Sequence, residues 1–396
     1  MLDKEMLEKI NRNGVSIVCG ARNEEKTIAM TIGHLVEEFY ASGLDRWEII
    51  IMDNSSTDET SRFFAWKLEQ KVPREKYIYS PRGLVTTGHL RIFYDPVPSN
   101  VGTRNNGARW ARYENLIFAD AHIITRPGTI MSTLRALETY GGIIHAPISW
   151  LGADPSDPSA SYQYSYKVGE KIWGTWNRIK VAETPFYIPL SGHCWLAVKR
   201  TEFFERGGYP QSQRVYGGGE PYLDTVYWMT GGTSMCDPGS LVYHLSAGRG
   251  YNWHSNDLLH NMLLVSYVLG GQKWMDRIRI TYLNKGGNSE HVVNMLTADA
   301  VAEGEEDRLR LEKQRIMTFE ELLRLDWVND CEKCTKRGRP EPHPMRIWDK
   351  MNEELHGYHR SYVQEFKLEK RNDKIYIGET EIVRPEAIEL ANQYVQ

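Results

Sequence analysis

The chain has 396 residues, of which 41% are hydrophobic and 25% charged, the proportions of a packed globular protein of roughly two to three domains, or of one large α/β domain with an extension. Forty-eight basic residues against 52 acidic ones leave a net charge of −4, which excludes a protein that coats nucleic acid through overall charge. Five cysteines, an odd number set mostly in apolar runs, point away from a disulfide framework and towards a reducing compartment.

In chain order, residues 1–14 are charged and lack the apolar core of a signal peptide. Residues 15–20 (VSIVCG) form a β-branched run that predicts a buried strand. Residues 24–40 place Ile28, Ile32, Leu35, Val36 and Phe39 on one helical face. A second buried strand is expected at 47–53 (WEIIIMD), then a helix over 58–70 capped by Ser56 with Glu59 as its capping-box partner. A helix over 101–113, entered through Asn100 and Gly102, precedes a third strand at 115–119 (NLIFA), closing on Asp120. Residues 152–185, rich in Pro, Ser and Tyr, read as a long excursion. Strand character resumes at 192–198, a helix follows at 220–229, and a strand over 240–244 ends in His244.

From about residue 256 the pattern is mainly helical, through 268, 274–282, 305–316 and 319–327. A composition shift near 286–306 suggests a catalytic domain over 1–285 and a helical region over 286–396, the latter with a Cys-rich and basic loop at 331–346. The longest apolar run, 261–269, is far short of the ~20 residues that span a bilayer, so the expectation is a soluble, cytoplasmic chain.

Strand–helix alternation implies parallel pairing with helical crossovers, hence a doubly wound α/β sheet with a mainly helical extension. Ligands bind such sheets beyond the carboxyl ends of the strands. Three of these ends are polar: Arg22–Asn23–Glu24, Asp53–Asn54–Ser55–Ser56 and Asp120–Ala121–His122. They are expected to be neighbours in space. A carboxylate such as Asp53 can accept bonds from a ribose hydroxyl or a base N–H, although the same residues also suit a turn and helix cap. No glycine fingerprint follows the first strand and no P-loop motif occurs, so dinucleotide and P-loop readings lose support.

In an extended segment, side chains at i and i+2 share one side, so Asp120 and His122 can face one ion. An oxygen–nitrogen pair suits Mn²⁺, whereas Mg²⁺ prefers oxygen alone. His244 is a candidate third ligand, or a core histidine. Gly217–Gly218–Gly219 lets backbone approach a ligand closely, and Glu220 at a helix start can orient sugar hydroxyls or complement the helix dipole.

These features together resemble GT-A glycosyltransferases of the family-2 type. Residues 100–249 are more specifically similar to polypeptide N-acetylgalactosaminyltransferases. The matching segments are FADAH (118–122), PFYIPLSGHCWLAVKRTEFFERGGY (185–209), YGGGEPYLDTVYWMTGG (216–232) and SLVYHLSAGR (240–249). The resemblance implies a GT-A fold, a UDP-sugar donor, Mn²⁺ (or Mg²⁺) held by Asp120, His122 and His244, and transfer with retention. It makes Asp53 a uridine contact, with Ala21, Asn23, Glu24 and Ser55 beside it in the nucleotide pocket. Gly218, Gly219 and Glu220 become donor-sugar contacts, and Arg104 and Arg249 diphosphate contacts. Under retention the departing phosphate oxygen takes the acceptor proton. Inversion instead needs a carboxylate base, Asp224 or Glu220. Where the family carries Trp and Asn in its glycine loop, this chain has Gly217 and Pro221.

The run Arg337–Gly338–Arg339–Pro340 resembles the core of a minor-groove-binding arm, with six basic residues against three acidic ones over 331–350. It equally suits a solvated loop. It tilts the acceptor towards a hydroxymethylated base in DNA, with Ser/Thr of a protein as the other choice. Cys331 and Cys334 offer half of a structural zinc site. The rival readings are a sugar-nucleotide-binding protein and a nucleotidyltransferase on a similar sheet.

Overall fold

The computed structural model describes residues 4–60, 77–80, 83–86, 89–150, 160–168, 172–177, 183–245, 252–324, 368–378 and 380–395, with 77–80, 83–86, 100, 163–168 and 172–177 described as backbone. The strands are β1 (Val15–Ala21), β2 (Trp47–Asp53), β3 (Tyr77–Ser80), β4 (Gly83–Thr86), β5 (Leu90–Tyr94), β6 (Asn115–Asp120), β7 (Ile123–Thr125), β8 (Ile143–His145), β9 (Ile148–Trp150), β10 (Gln163–Val168), β11 (Ile172–Asn177), β12 (Phe186–Tyr187), β13 (Trp195–Lys199), β14 (Ser234–Cys236) and β15 (Val242–His244). The helices are α1 (Lys4–Asn13), α2 (Ile28–Ser42), α3 (Asn100–Trp110), α4 (Thr129–Tyr140), α5 (Arg200–Glu205), α6 (Gly219–Met229), α7 (Ser255–Gly270), α8 (Gln272–Lys285), α9 (Glu290–Gln314), α10 (Phe319–Arg324) and α11 (Pro385–Asn392). A small sheet of Leu368–Arg371, Lys374–Ile377 and Thr380–Glu381 precedes α11.

The main sheet has ten strands in the order β12-β14-β8-β13-β6-β1-β2-β5-β4-β3. Its centre, β6-β1-β2-β5, is parallel. Antiparallel strands extend it on both sides, β13 against β6 and β4 against β5. β1 and β2 are buried along nearly their whole length, as continuous β-branched runs predict for strands covered on both faces. Each fully buried Ile or Val there contributes about 1.5–3 kcal/mol relative to exposure.

A second sheet, β7-β15-β9, decides the site. β15 pairs antiparallel with β7 in the register His244↔Ile123 and parallel with β9 in the register His244↔Trp150. The Leu245 N–H also donates to the His122 carbonyl at 2.9 Å. His244 is thereby brought abreast of the segment that follows Asp120.

Several boundaries differ from the sequence reading. α2 begins at Ile28 and not at 24, because the carbonyl and carboxylate of Glu24 hold Thr27 in the preceding turn. α3 ends at Trp110, where Ala111 turns extended, and Ser99 is its cap, accepting the Gly102 N–H at 3.0 Å. β15 starts at Val242, since Ser240 is held in a turn by Asp237. α9 runs unbroken through the composition shift that suggested a boundary, with Gly304 against Leu264 and Val268 of α7. Val293, Leu296 and Ala300 of α9 join the same hydrophobic core as the sheet. Most of the expected 58–70 helix, the 331–346 loop with Cys331 and Cys334, and Arg249 lie outside the described residues. The three described cysteines, Cys19, Cys194 and Cys236, are buried.

Candidate functional site

The three polar strand ends do meet. Parallel registers place Ala21 beside Asp53 and Gly20 beside Asp120. Beyond the sheet the Asn23 N–H donates to Ser56 Oγ at 3.0 Å, and Asn23 Oδ1 accepts the Thr57 N–H at 2.7 Å. Asn23 and Ser55 both adopt positive φ, 55° and 57°, so each strand end turns away sharply at one residue. Asp53 is buried and accepts the Ser56 N–H at 2.9 Å, while the Ser55 hydroxyl donates to the Asp95 carbonyl. The turn-and-cap role weighed for this segment is thus present in the fold. Ala21 is buried beneath it.

Asp120, His122 and His244 converge, one ligand atom of each lying within 4.8 Å of the others. His122 Nε2 is 3.1 Å from His244 Nε2, and His244 Nε2 is 3.5 Å from Asp120 Oδ2. The turn bearing the first two is pinned by Thr31 of α2, whose hydroxyl lies 3.0 and 2.9 Å from the Ala121 and Ile123 carbonyls and accepts the Ile123 N–H. On the other side the Asp120 N–H donates to the Cys194 carbonyl at 3.0 Å.

The donor set fits a divalent ion: one carboxylate oxygen and two ring nitrogens, all within 4.8 Å of one another. Burial pushes the Asp120 carboxyl up, but the His244 hydrogen bond and the charges of Arg104 and His122 outweigh it and hold it well below the usual carboxylate range. Asp120 is therefore an anion at neutral pH.

Arg104 on α3 reaches the same carboxylate, Nη2 to Oδ1 at 3.0 Å. It is only 6% exposed, and its Nη1 is a buried donor with no partner. Burial lowers its basicity, yet Tyr209 and Asp120 more than restore it, so the guanidinium stays charged.

Glu24 was expected in the nucleotide pocket. Its carboxylate faces His122, with Oε1 3.0 Å from Nδ1, and accepts from the Thr27 hydroxyl at 2.7 Å. The Glu24 N–H donates to Thr60 Oγ1 at 2.7 Å. A carboxylate on Nδ1 fixes the tautomer that presents Nε2 as a ligand.

Gly218 (φ 82°) and Gly219 open α6, with Glu220 in its first turn. A Cβ on Gly219 would lie 2.5 Å from Val101 Cγ1, so only glycine lets the loop seat against α3. The charge of Glu220 is felt by Arg104 and Tyr209, which places it on the Arg104 side of the site.

Asp224, the other expected base, lies on α6. It is fully buried and accepts the Ser191 N–H at 3.0 Å, the Ser191 hydroxyl at 2.9 Å and the Ser234 hydroxyl at 2.6 Å. His193 Nε2 is 3.4 Å away, and His193 Nδ1 faces the Tyr209 hydroxyl at 3.2 Å. Through Tyr209 this chain reaches Arg104. Asp224 is thus a buried anchor with no face open to an acceptor. The sequence reading did not find Thr31, His193 or Asn261, whose contacts connect segments far apart in the chain.

Residues 16–181 match the family model described as glycosyl transferase family 2. The chain is similar to N-acetylgalactosaminyltransferase 6 of Drosophila melanogaster, 26% identical over 201 residues, covering 48% of this chain and 29% of the relative. It is also similar to probable N-acetylgalactosaminyltransferase 9 of Caenorhabditis elegans, 24% identical over 266 residues, covering 63% of this chain and 43% of the relative. The chain thus spans less than half the length of either relative. Among solved structures it resembles GalNAc-T7 with UDP, GalNAc and Mn²⁺, with a TM-score of 0.58 at 16% identity, covering 82% of this chain and 57% of that one. The fold is GT-A, as the resemblance implied.

Proposed function

We propose that this chain is a Mn²⁺-dependent glycosyltransferase that moves a sugar from a UDP-sugar to a hydroxyl of a macromolecular acceptor, with retention. The observation that carries this reading is the convergence of Asp120, His122 and His244 beyond the carboxyl ends of parallel strands. The family-2 match and the named relatives support the same reaction class.

Asp120, His122 and His244 would hold a divalent ion, which when bound would supply neutralising charge to the donor diphosphate as it leaves. Arg104 adds a fixed cation, with its unpartnered Nη1 available to a phosphate oxygen. The strand-end turns around Asn23, Asp53 and Ser55 bound the uridine side, and Gly218, Gly219 and Glu220 the sugar side, where positioning supplies much of the rate. Arg249 completes the diphosphate contacts implied by the resemblance. The burial of Asp224 fits retention, in which the leaving phosphate oxygen takes the acceptor proton. Were the reaction to invert, Glu220 is the carboxylate of the two that remains.

For the acceptor the reading is a hydroxymethylated base in DNA, supported by the basic run over 331–350. A cytoplasmic location is part of the same reading, supported by an odd cysteine count set mostly in apolar runs. Among the described residues no helix is long and apolar enough to cross a membrane.

The test is donor turnover across UDP- and GDP-sugars with Mn²⁺, with hydroxymethylated DNA and Ser/Thr peptides as acceptors. Sugar transfer from a UDP-sugar that stops with chelator is expected. Transfer to peptide alone would move the acceptor to protein. Donor binding without turnover, or pyrophosphate release from a nucleoside triphosphate, overturns the transferase reading in favour of a binding protein or a nucleotidyltransferase.

A further inference from the structure

One buried side chain makes several of the contacts that shape the glycine loop. Asn261 lies in α7, about 40 residues further along the chain, and is completely buried. Its Oδ1 accepts the Arg214 N–H at 2.7 Å. Its Nδ2 faces three backbone carbonyls in succession, Arg214 at 3.2 Å, Tyr216 at 2.9 Å and Gly217 at 3.1 Å. The amide's donors are thereby committed to one turn of chain, and its Oδ1 is shared between that turn and His260 Nδ1 at 3.3 Å. Gly218 follows immediately, and a Cβ there would come within 3.2 Å of both the Asn261 Cβ and its carbonyl oxygen. The loop is pressed onto α7 as closely as backbone allows. From α9, Asp299 takes the Arg214 guanidinium at 3.0 Å.

From this geometry we infer that Asn261 is a positioning residue for donor-sugar recognition: it clamps residues 214–217 so that Gly218, Gly219 and Glu220 present to the sugar, with Asp299 as a weaker second tether. The inference rests on reading that loop as the sugar contact. It makes the helices after residue 255 part of the donor site. A clamp on the sugar side should leave the metal and nucleotide side untouched, because Asp120, His122 and Asp53 are held by different elements. The signature is a change in how well the sugar is felt, not in how well UDP is held.

The experiment is calorimetric binding, with Mn²⁺, of UDP and of whichever of UDP-N-acetylgalactosamine, UDP-N-acetylglucosamine and UDP-glucose the wild type binds best. In Asn261→Ala the UDP affinity should stay within roughly twofold, as for a site with no shared partners. The ratio of UDP-sugar to UDP affinity should fall roughly tenfold or more, the scale of a small misplacement of a contact. Asp299→Asn, which removes only a half-exposed ion pair, should lower the ratio roughly two- to threefold. It serves as the readout if Asn261→Ala does not fold. An unchanged ratio in the folded variants overturns the clamp. A general loss of UDP and sugar-nucleotide affinity together overturns it as well, since that is what a purely structural role produces. A wild type that binds UDP but gains nothing from any attached sugar removes the sugar-contact reading and the clamp with it. A wild type that binds no UDP removes the glycosyltransferase reading itself.

Discussion

The wall of the site that carries Asp120 and His122 extends from a strand railed on both sides by the main sheet, parallel to β1 and antiparallel to β13, whereas the wall that carries Gly218 and Glu220 rests on side chains that reach it from distant helices. On the first wall, the backbone registers of β1, β2 and β6 fix where each polar residue emerges, and Thr31 and the Cys194 carbonyl only trim the turn. On the second wall, Ser99 holds the Gln213 carbonyl at 2.5 Å and Asn261 holds the next residues. The lesson is that the ionic half of the site inherits its precision from the sheet, and the sugar half from buried amide and hydroxyl contacts. Metal and diphosphate chemistry should therefore survive insults that ruin sugar discrimination.

The largest expected effect breaks the first wall at its centre. Asp120→Ala removes the anionic ligand, and turnover should fall by at least ~10³-fold with Mn²⁺ binding lost by paramagnetic resonance. It also strands the buried Arg104 charge, so Asp120→Asn is the control for folding. Retained Mn²⁺ affinity in both variants would contradict the ligand set.

Next comes acid. His145 in β8 is fully buried, and its burial pushes its pKa down to about 4, against the partial opposition of Asp224. Between pH ~6.5 and ~4 the unfolded chain takes up a proton at this position that the native state refuses. Stability is therefore full above that window and falls as pH drops through it, by roughly 2–4 kcal/mol. His260, behind the second wall, is lowered in the same direction by burial and by Arg214. Denaturant midpoints at pH 7 and 4.5 should converge more in His145→Gln than in His260→Gln. An identical slope in wild type and His145→Gln would sink this assignment.

Glu24 sharpens the contrast from the metal side. Glu24→Ala should weaken Mn²⁺ binding roughly 10- to 100-fold while leaving the ratio of UDP-sugar to UDP affinity as it is. Glu24→Gln keeps an acceptor for His122 Nδ1–H and should recover part of the loss. No change in Mn²⁺ affinity in Glu24→Ala would reduce the contact to packing.

The smallest effect concerns the glycine loop. Gly219→Ala places a methyl 2.5 Å from Val101, and the expected loss is about 1–2 kcal/mol of stability, together with weaker UDP-sugar binding and unchanged Mn²⁺ affinity. Thermal unfolding and a metal titration read the two parts separately.

Much of the first wall was legible in the amino-acid sequence, for a physical reason. VSIVCG, WEIIIMD and NLIFAD are apolar runs that must be buried, and the polar residues at their ends must emerge on one edge of a parallel sheet. Alternation along an extended chain then sets Asp120 and His122 on the same side. The sequence by itself therefore determined the doubly wound core, the meeting of three strand ends and the Asp-x-His pair, because each follows from local periodicity and the need to bury it. Tertiary structure alone decided that Glu24 braces His122, that Asp224 is sealed beneath Ser191 and Ser234, and that Asn261 grips the glycine loop. A polar side chain reveals its role only through the partner it meets, and those partners lie from 10 to 98 residues away, beyond anything a local pattern encodes.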